Sequence, residues 1–390
     1  MRSQIETTVI PAVTAEVGEE LRTSLCAWFG RVRRDLPWRR TSDPYAIWIS
    51  EAMLQQTRVE TVIPYWTRFL KALPTVAELA QVDEERLLGL WSGLGYYRRA
   101  RSLQAAAIMI ETKFDGQFPD LLEDVLALPG IGPYTAGAIL SIAFDHPVAA
   151  VDGNVLRVFS RLFEIDEAWG SAKLNRVVWQ LAEELMVMGQ ATPRDASDGP
   201  GAWNQGLMEL GATVCTAKNP SCGDCPWSSR CAAFERGTVA RYPIPGAKKT
   251  YVSVELETLV ILRGTSILVR RRPSDGRMAG LLECPTREVL PTEREDGETR
   301  LFDADFGLPM ERTSAESRIE VAEIRHSITN HRIRAKIYAQ KLTDSTDFPV
   351  DSPWRWMAMD ELESGALTGM TSKLLKQFDV INFVSESAER

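Results

Sequence analysis

Apolar residues at helical spacing dominate the first two thirds of the chain. Val59, Val62, Ile63, Trp66 and Phe69 recur at three- and four-residue intervals, as do Leu121, Leu122, Val125 and Leu126, the period of an amphipathic helix. Helix-stopping segments such as "LPTVAELA", "GQFPD" and "FDHP" interrupt this pattern. Residues 20 to about 212 are thus expected to form many short helices in an orthogonal bundle. After residue 250 the period changes. "YVSVELETLVILRG" and "SILVRRRP" read as two strands around an Arg-Gly-Thr turn. "HRIRAKIYAQKL" alternates, with Ile333, Ala335, Ile337 and Ala339 on one face and Arg332, Arg334, Lys336 and Tyr338 on the other. "TSKLLKQFDVINFV" predicts a closing helix. The intervening "ERGTVARYPIPGAKK" reads as a linker. The expected organisation is a mainly α region over 20–235, a linker over 236–250 and a smaller α+β domain over 251–390.

Composition changes this picture little. The 44% hydrophobic and 25% charged fractions are those of ordinary globular chains. No apolar run approaches the roughly 20 residues of a membrane helix. "MRSQIETTVIPAV" lacks the basic start and apolar core of a secretory signal. These features predict a cytoplasmic protein with no membrane partner, in which six cysteines point to metal binding or buried thiols rather than disulfides. A net charge of −8 suits a polyanionic partner poorly, yet residues 31–101 carry 12 Lys+Arg against 8 Asp+Glu, a local excess of +4. The arginines gather in "RVRRDLPWRR" and "YYRRAR". Nucleic-acid binding needs a basic surface rather than a basic chain, although such runs also suit a solvated helix face.

"LPGIGPYTAG", Leu128–Gly137, sets glycines and prolines inside an apolar, helix-like region where both are costly. Gly130 and Gly132 allow backbone conformations barred to other residues, and Pro133 suits the first turn of a following helix. Leu126 and Leu128 on one side, and Ile131, Ala136, Ile139 and Leu140 on the other, can pack two helices together. The product is a tight turn at a helix N-terminus whose free N–H groups suit an anion; a plain packing turn is the alternative. Further on, "CTAKNPSCGDCPWSSRC" places Cys215, Cys222, Cys225 and Cys231 within 17 residues. Four thiolates so close suit one metal centre, iron–sulfur or zinc. Cys26 and Cys284 fall outside this pattern and are expected to be buried, inert thiols.

Two carboxylates stand out. Glu51, in "SEAMLQQTRV", is expected near the start of a helix among apolar Ile47, Ala52 and Leu54, and Asp152, in "VDGNV", beside flexible Gly153. Each alone reads as a helix-terminus partner or cap. Together they suit cleavage of an N-glycosidic bond. That reaction needs one carboxyl kept protonated by burial, to protonate the leaving base, and one ionised carboxylate facing the sugar cation.

Residues 20–235 resemble the MutY family of adenine DNA glycosylases within the helix-hairpin-helix superfamily. The ordered motifs are "LPWR", "SEAMLQQT", "GLGYYRRARSL", "LPGIGPYTAG", "VDGNV", "NQGLMELGA" and the four cysteines. The resemblance implies two helical subdomains, a 4Fe–4S loop over 215–231 with one cluster held by Cys215, Cys222, Cys225 and Cys231, and a monomer acting on double-stranded DNA. The substrate it implies is adenine mispaired with 8-oxoguanine or guanine. It makes Glu51 the acid that protonates adenine N7 and Asp152 the group that stabilises the oxocarbenium ion or its covalent successor, with Tyr134 beside the sugar and Asn154 near the same site. Trp38, Arg39, Leu54 and Glu209 match the adenine pocket. Gln55, Gln56 and Tyr96 match groups that wedge into the duplex, and the hairpin around Gly130 and Gly132 matches a site that holds the DNA backbone without reading sequence. The sister endonuclease III branch carries a lysine at the position of Tyr134. A tyrosine cannot form the Schiff base that lysine forms, so base removal without strand cleavage is expected.

Residues 250–390 resemble, more weakly, the nudix-like domain of the same family through "RRRPSDGRMAGLLECP". The paired glutamates of a nudix catalytic box are missing, which argues against pyrophosphate hydrolysis. The family reads 8-oxoguanine with a Phe-Ser/Thr-His loop. Here "RHSITNHRIR" lacks the phenylalanine, and Thr329, Asn330 and His331 are its nearest equivalent. Two rival readings remain at this level: an endonuclease III-like glycosylase/lyase for oxidised pyrimidines, and a non-catalytic iron–sulfur protein that binds lesions.

Overall fold

The computed structural model describes residues 12–188, 198–247, 250–273, 278–289, 306, 308, 318–328, 330–342 and 352–377. Its helices are α1 (Ala15–Val32), α2 (Pro44–Leu54), α3 (Val59–Ala72), α4 (Val76–Gln81), α5 (Glu84–Trp91), α6 (Arg98–Lys113), α7 (Leu122–Ala127), α8 (Pro133–Phe144), α9 (Gly153–Leu162), α10 (Ala172–Val187), α11 (Pro200–Thr213), α12 (Ala232–Glu235), α13 (Met359–Ser364) and α14 (Gly369–Gln377). The chain divides into two compact units, Met1–Gln81 with Ser102–Lys248, and Val82–Arg101 with Lys249–Arg390. No helix among the described residues is long and apolar enough to cross a membrane.

The first unit is helical, as the pattern predicts. Helix α2 starts where Asp43 accepts from the Tyr45 N–H and Pro44 takes the first turn. Tyr45 through Met53 are all buried, so α2 is apolar on every side and sits inside the fold. Helix α8 is equally enclosed, and Gly137 is what lets it reach its neighbour: a Cβ there would lie 1.9 Å from the Ala149 carbonyl oxygen. The Ala149–Val151 segment that α8 supports leads directly into Asp152. A core of Leu21, Leu25, Phe159, Leu181, Trp203 and Trp227 joins α1, α9, α10 and α11, and Cys215, Cys225 and Cys231 pack against it. Each large side chain buried there contributes about 2 kcal/mol.

The hairpin forms at the expected place. Gly130 adopts φ +81°, Gly132 caps α8 with no side chain and Pro133 opens it. Leu128, Ile131, Ala136, Ile139 and Leu140 are buried, but Leu126 is 38% exposed. Helix α7 has six residues, and Val125 takes its inward position instead. The stretch expected as a free linker is fixed to the first unit through Gly246. Arg161 donates to the Tyr242 carbonyl at 3.0 Å, Tyr242 and Arg241 both donate to Asp166, and the Trp169 N–H donates to Ile244 at 2.8 Å.

The second unit contains one mixed sheet of β1 (Val252–Arg263), β2 (Ser266–Arg271), β3 (Leu282–Glu283), β4 (Thr286–Val289), β5 (Ile319–Ile328), β6 (His331–Lys341) and β7 (Trp354–Ala358). Its path is β3-β2-β1-β6-β5, with β4 on β1 and β7 on β2. The predicted hairpin of β1 and β2 turns at Gly264, and β1 pairs in parallel with β6 along its length. Ile333, Ala335, Ile337 and Ala339 point inward while Arg332, Arg334 and Lys336 are exposed, the expected alternation. Residues 82–101, which the sequence reading placed in the helical region, pack within this unit. Their anchors are polar: Glu85 pairs with Arg271 and Arg355, Tyr97 donates to the Leu367 carbonyl, and Arg101 donates to that of Ala279. Hydrophobic periodicity carries no signal of such anchors.

Candidate active site

A cleft of about 660 Å³ opens in the first unit, within the range of small-ligand sites. Glu51, Asp152, Asn154, Tyr134, Trp38, Arg39, Leu54, Glu209, Gln55 and Gln56 all line it, so residues far apart in sequence converge. The hairpin turn and Tyr96 are not part of the lining; Tyr96 belongs to the second unit.

Glu51 lies in the last turns of α2, not near its start, because the helix begins seven residues earlier at Pro44. The helix dipole there disfavours a negative charge, so the dipole-partner reading of Glu51 falls away. The residue is 5% exposed, and Tyr134 donates to Oε2 at 2.7 Å. Burial pushes the Glu51 carboxyl up to about 7, with the Asp152 charge acting in the same direction; the Tyr134 hydrogen bond and Arg39 oppose it. Tyr134 also lies 3.1 Å from Met208 Sδ, and burial beside Glu51 keeps its phenol firmly protonated.

Asp152 is the N-cap of α9. Its Oδ1 accepts from the Asn154 N–H at 2.8 Å and the Val155 N–H at 2.9 Å, while the Asn154 amide donates to Oδ2 at 2.7 Å. Burial raises its pKa, and these donors together with Arg157 work against that rise. Gly211 lets α11 approach, since a Cβ there would lie 2.4 Å from Asn154 Cβ. Arg157 escaped the sequence reading. It donates to Asn154 Oδ1 at 2.8 Å, to the Gly211 carbonyl at 2.7 Å and to the Cys215 carbonyl at 2.8 Å, tying the cysteine loop to the cleft.

Glu209 is buried beneath Arg34, which donates to it from both its backbone and side chain, and Arg39. Burial works against its charge, but these donors prevail and hold the carboxyl at about 2. Glu209 is thus a fixed anion, and Arg34, visible in the sequence only as one arginine of "RVRRDLPWRR", is a further site residue. Trp38 is 7% exposed, with its ring edge-on to Trp66 at 6.0 Å. Gln55 ends α2, and Gln56 adopts φ +58°, a left-handed conformation at the cleft edge.

The four clustered cysteines line one cavity with Val158, Leu162, Leu210 and Trp227. Among the described residues that line this cavity there is no histidine or carboxylate, and four thiolates suit an iron–sulfur cluster. Arg161 lies 3.4 Å from Cys215 Sγ and donates to the Thr216 carbonyl at 2.7 Å. The all-cysteine donor set fits an iron–sulfur cluster. Cys26 and Cys284 are buried, as expected. In the second unit Thr329 lies outside the described residues. The exposed Asn330 accepts from the Val252 N–H at 2.9 Å, and His331 Nδ1 is buried with no hydrogen-bond partner among the described residues.

Comparison with known proteins agrees with this anatomy. Residues 49–184 match the HhH-GPD superfamily base excision DNA repair protein, residues 215–231 the iron-sulfur binding domain of endonuclease III, and residues 257–377 the NUDIX domain. The chain is 31% identical to the adenine DNA glycosylase of Mus musculus, covering 92% of this chain and 78% of the relative. It is likewise 31% identical to that of Homo sapiens, covering 92% of this chain and 73% of the relative. A solved thermostable thymine-DNA glycosylase overlays with a TM-score of 0.48 at 27% identity, covering 57% of this chain and 100% of that one. On the full-length relatives, the chain belongs to the adenine DNA glycosylase family.

Proposed function

We propose that this adenine DNA glycosylase removes adenine paired with 8-oxoguanine or guanine by hydrolysis, with Glu51 as general acid and Asp152 as the stabilising carboxylate, and leaves the strand uncut. The observation that carries the roles is the buried Glu51 carboxyl, held near 7 by its surroundings, in one cleft with Asp152. A flipped adenine enters among Trp38, Leu54 and the Arg34–Glu209–Arg39 group. Glu51 gives its proton to adenine N7. The glycosidic bond then breaks with its electron pair on the base, and Asp152 faces the resulting sugar cation. Water adds to the sugar C1′, gives its proton to the now ionised Glu51 and completes an abasic site.

Tyr134 suits both states of the acid. Ionised Glu51 accepts a hydrogen bond from the phenol. Protonated Glu51 can instead donate to the phenol oxygen, whose own proton turns to Met208 Sδ. No lysine lines the cleft among the described residues, which supports release of the base without an amine attack on the sugar. Because protonated Glu51 and ionised Asp152 are the active forms, single-turnover adenine release is expected to hold steady below about pH 6.5 until Asp152, whose pKa burial raises, takes up a proton. It should fall about tenfold per pH unit above the Glu51 value of about 7. A rate that rises through this window would remove Glu51 from the role of acid.

Cys215, Cys222, Cys225 and Cys231 would hold the 4Fe–4S cluster. When bound, the cluster supplies a tie across a loop that has only single-turn helices of its own. Cys225→Ser is expected to lose most of the bound iron and its visible absorbance, and to melt at least about 5 °C lower. Retained iron with unchanged melting would place the cluster elsewhere. Asn330 and His331, at the turn into β6, would read the lesion, with Asn330 exposed at the turn.

A further inference from the structure

The loop that carries Tyr96 is built at a cost. Gly93 and Gly95 adopt φ +97° and +71°, and Tyr96 itself adopts φ +49°, which for a residue with a side chain costs roughly 1–2 kcal/mol. The strain brings no burial, since Tyr96 is 50% exposed. Arg99 holds the loop in this form. Its guanidinium lies 5.3 Å from the Trp91 ring and 5.7 Å from the Tyr96 ring, and donates to the Leu94 and Gly95 carbonyls. A rigid, exposed ring of this kind suits stacking on a nucleobase.

The next residue connects this loop to the remainder of the second unit. Tyr97 is 7% exposed; its hydroxyl accepts from the Gly93 N–H at 3.4 Å and donates to the Leu367 carbonyl at 2.9 Å. Leu367 stands two residues before α14. The start of α14 lies against β5, where a Cβ on Gly369 would sit 3.4 Å from His326 Cε1. One turn later Lys373 Nζ donates to the Arg325 carbonyl at 2.7 Å. Strand β5 ends at Ile328, beside the turn that leads to Asn330 and His331. Direct contacts therefore run from the Tyr96 loop through Tyr97, Leu367 and α14 to the strand that carries the lesion-reading turn.

The geometry points to Tyr97 as a positioning residue that couples occupancy of the Asn330–His331 turn to the placement of Tyr96, and so sets the preference for 8-oxoguanine over guanine. This rests on the mispair reading above. Contiguity alone does not establish coupling, so the test is a mutant cycle. Tyr97→Phe removes one hydroxyl and keeps the ring. In the full-length protein it is expected to slow single-turnover adenine release opposite 8-oxoguanine about tenfold. Release opposite guanine should stay within about twofold, and melting should be unchanged.

If Tyr97 works through Tyr96, adding Tyr97→Phe to Tyr96→Ala costs nothing more. Lys373→Met, at the other contact of α14, should lower the same preference severalfold. A 2-aminopurine beside the 8-oxoguanine reports the stacking directly, and its fluorescence change on binding should shrink in Tyr97→Phe. Unchanged preference in both Tyr97→Phe and Lys373→Met, or additive losses in the double mutant, would overturn the coupling while leaving the mispair reading intact. A wild-type protein with no preference between the two mispairs would overturn the coupling, and one that released adenine from neither would overturn the mispair reading.

Discussion

Glu51→Gln is expected to slow adenine release at least about 1,000-fold under single-turnover conditions while leaving DNA affinity within severalfold of wild type. General acid catalysis typically contributes 10²–10⁴-fold, and adenine leaves poorly as an anion, so the upper half of that range applies. The amide fills the same space and can keep a hydrogen bond to Tyr134. The variant should also be more stable at alkaline pH. A carboxyl whose folded pKa is raised from 4.5 to about 7 binds its proton more tightly in the folded state. Folding stability therefore falls as pH rises through that window, by about 3 kcal/mol in all. Glutamine removes this penalty, so the melting temperature of Glu51→Gln should exceed that of wild type at pH 8 and match it near pH 4.5. Lower activity with higher stability is the pattern of a strained functional group. Loss of both would mark Glu51 as structural.

Asp152→Asn is expected to reduce the rate about 100- to 1,000-fold, the usual effect of losing electrostatic stabilisation at a developing charge. Asp152 also caps α9, so the two roles must be separated. Asparagine is about as good a cap as aspartate. Asp152→Asn therefore keeps the cap and removes the charge, and its melting temperature should stay within about 2 °C of wild type. Asp152→Ala loses both, at a further cost of about 1 kcal/mol. Equal rates in Asp152→Asn and wild type would leave only the capping role.

Local chemistry made much of this molecule legible in advance. Gly130 and Pro133 announced the hairpin because each meets a backbone requirement that few other residues meet, whereas Gly132 sits in ordinary extended backbone with open space where a Cβ would lie. The cysteines announced a metal centre by their spacing, which the family resemblance made an iron–sulfur loop, and the alternation of Ile333, Ala335, Ile337 and Ala339 gave the inner face of β6. What the sequence concealed depends on partners far along the chain. Arg34 and Arg39 fix the charge of Glu209 across about 170 residues. Arg157 reaches Cys215 and Gly211 more than 50 residues away. Glu85, Tyr97 and Arg101 bring residues 82–101 into the second unit through polar contacts that leave no periodic trace. Glu51 shows a third case. The right residue was visible, but its place on the helix was not, and that place is what sets the dipole against its charge.

The central claim is that Glu51 drives base release in a cleft that no lysine lines among the described residues. A single-turnover incubation with a duplex carrying one adenine opposite 8-oxoguanine tests it most directly, with half of each sample treated with alkali before strand analysis. Strand breakage only after alkali is the predicted result, because it reports an abasic site left intact. Breakage without alkali would contradict the account, since it would require an amine in the place the structure gives to Tyr134.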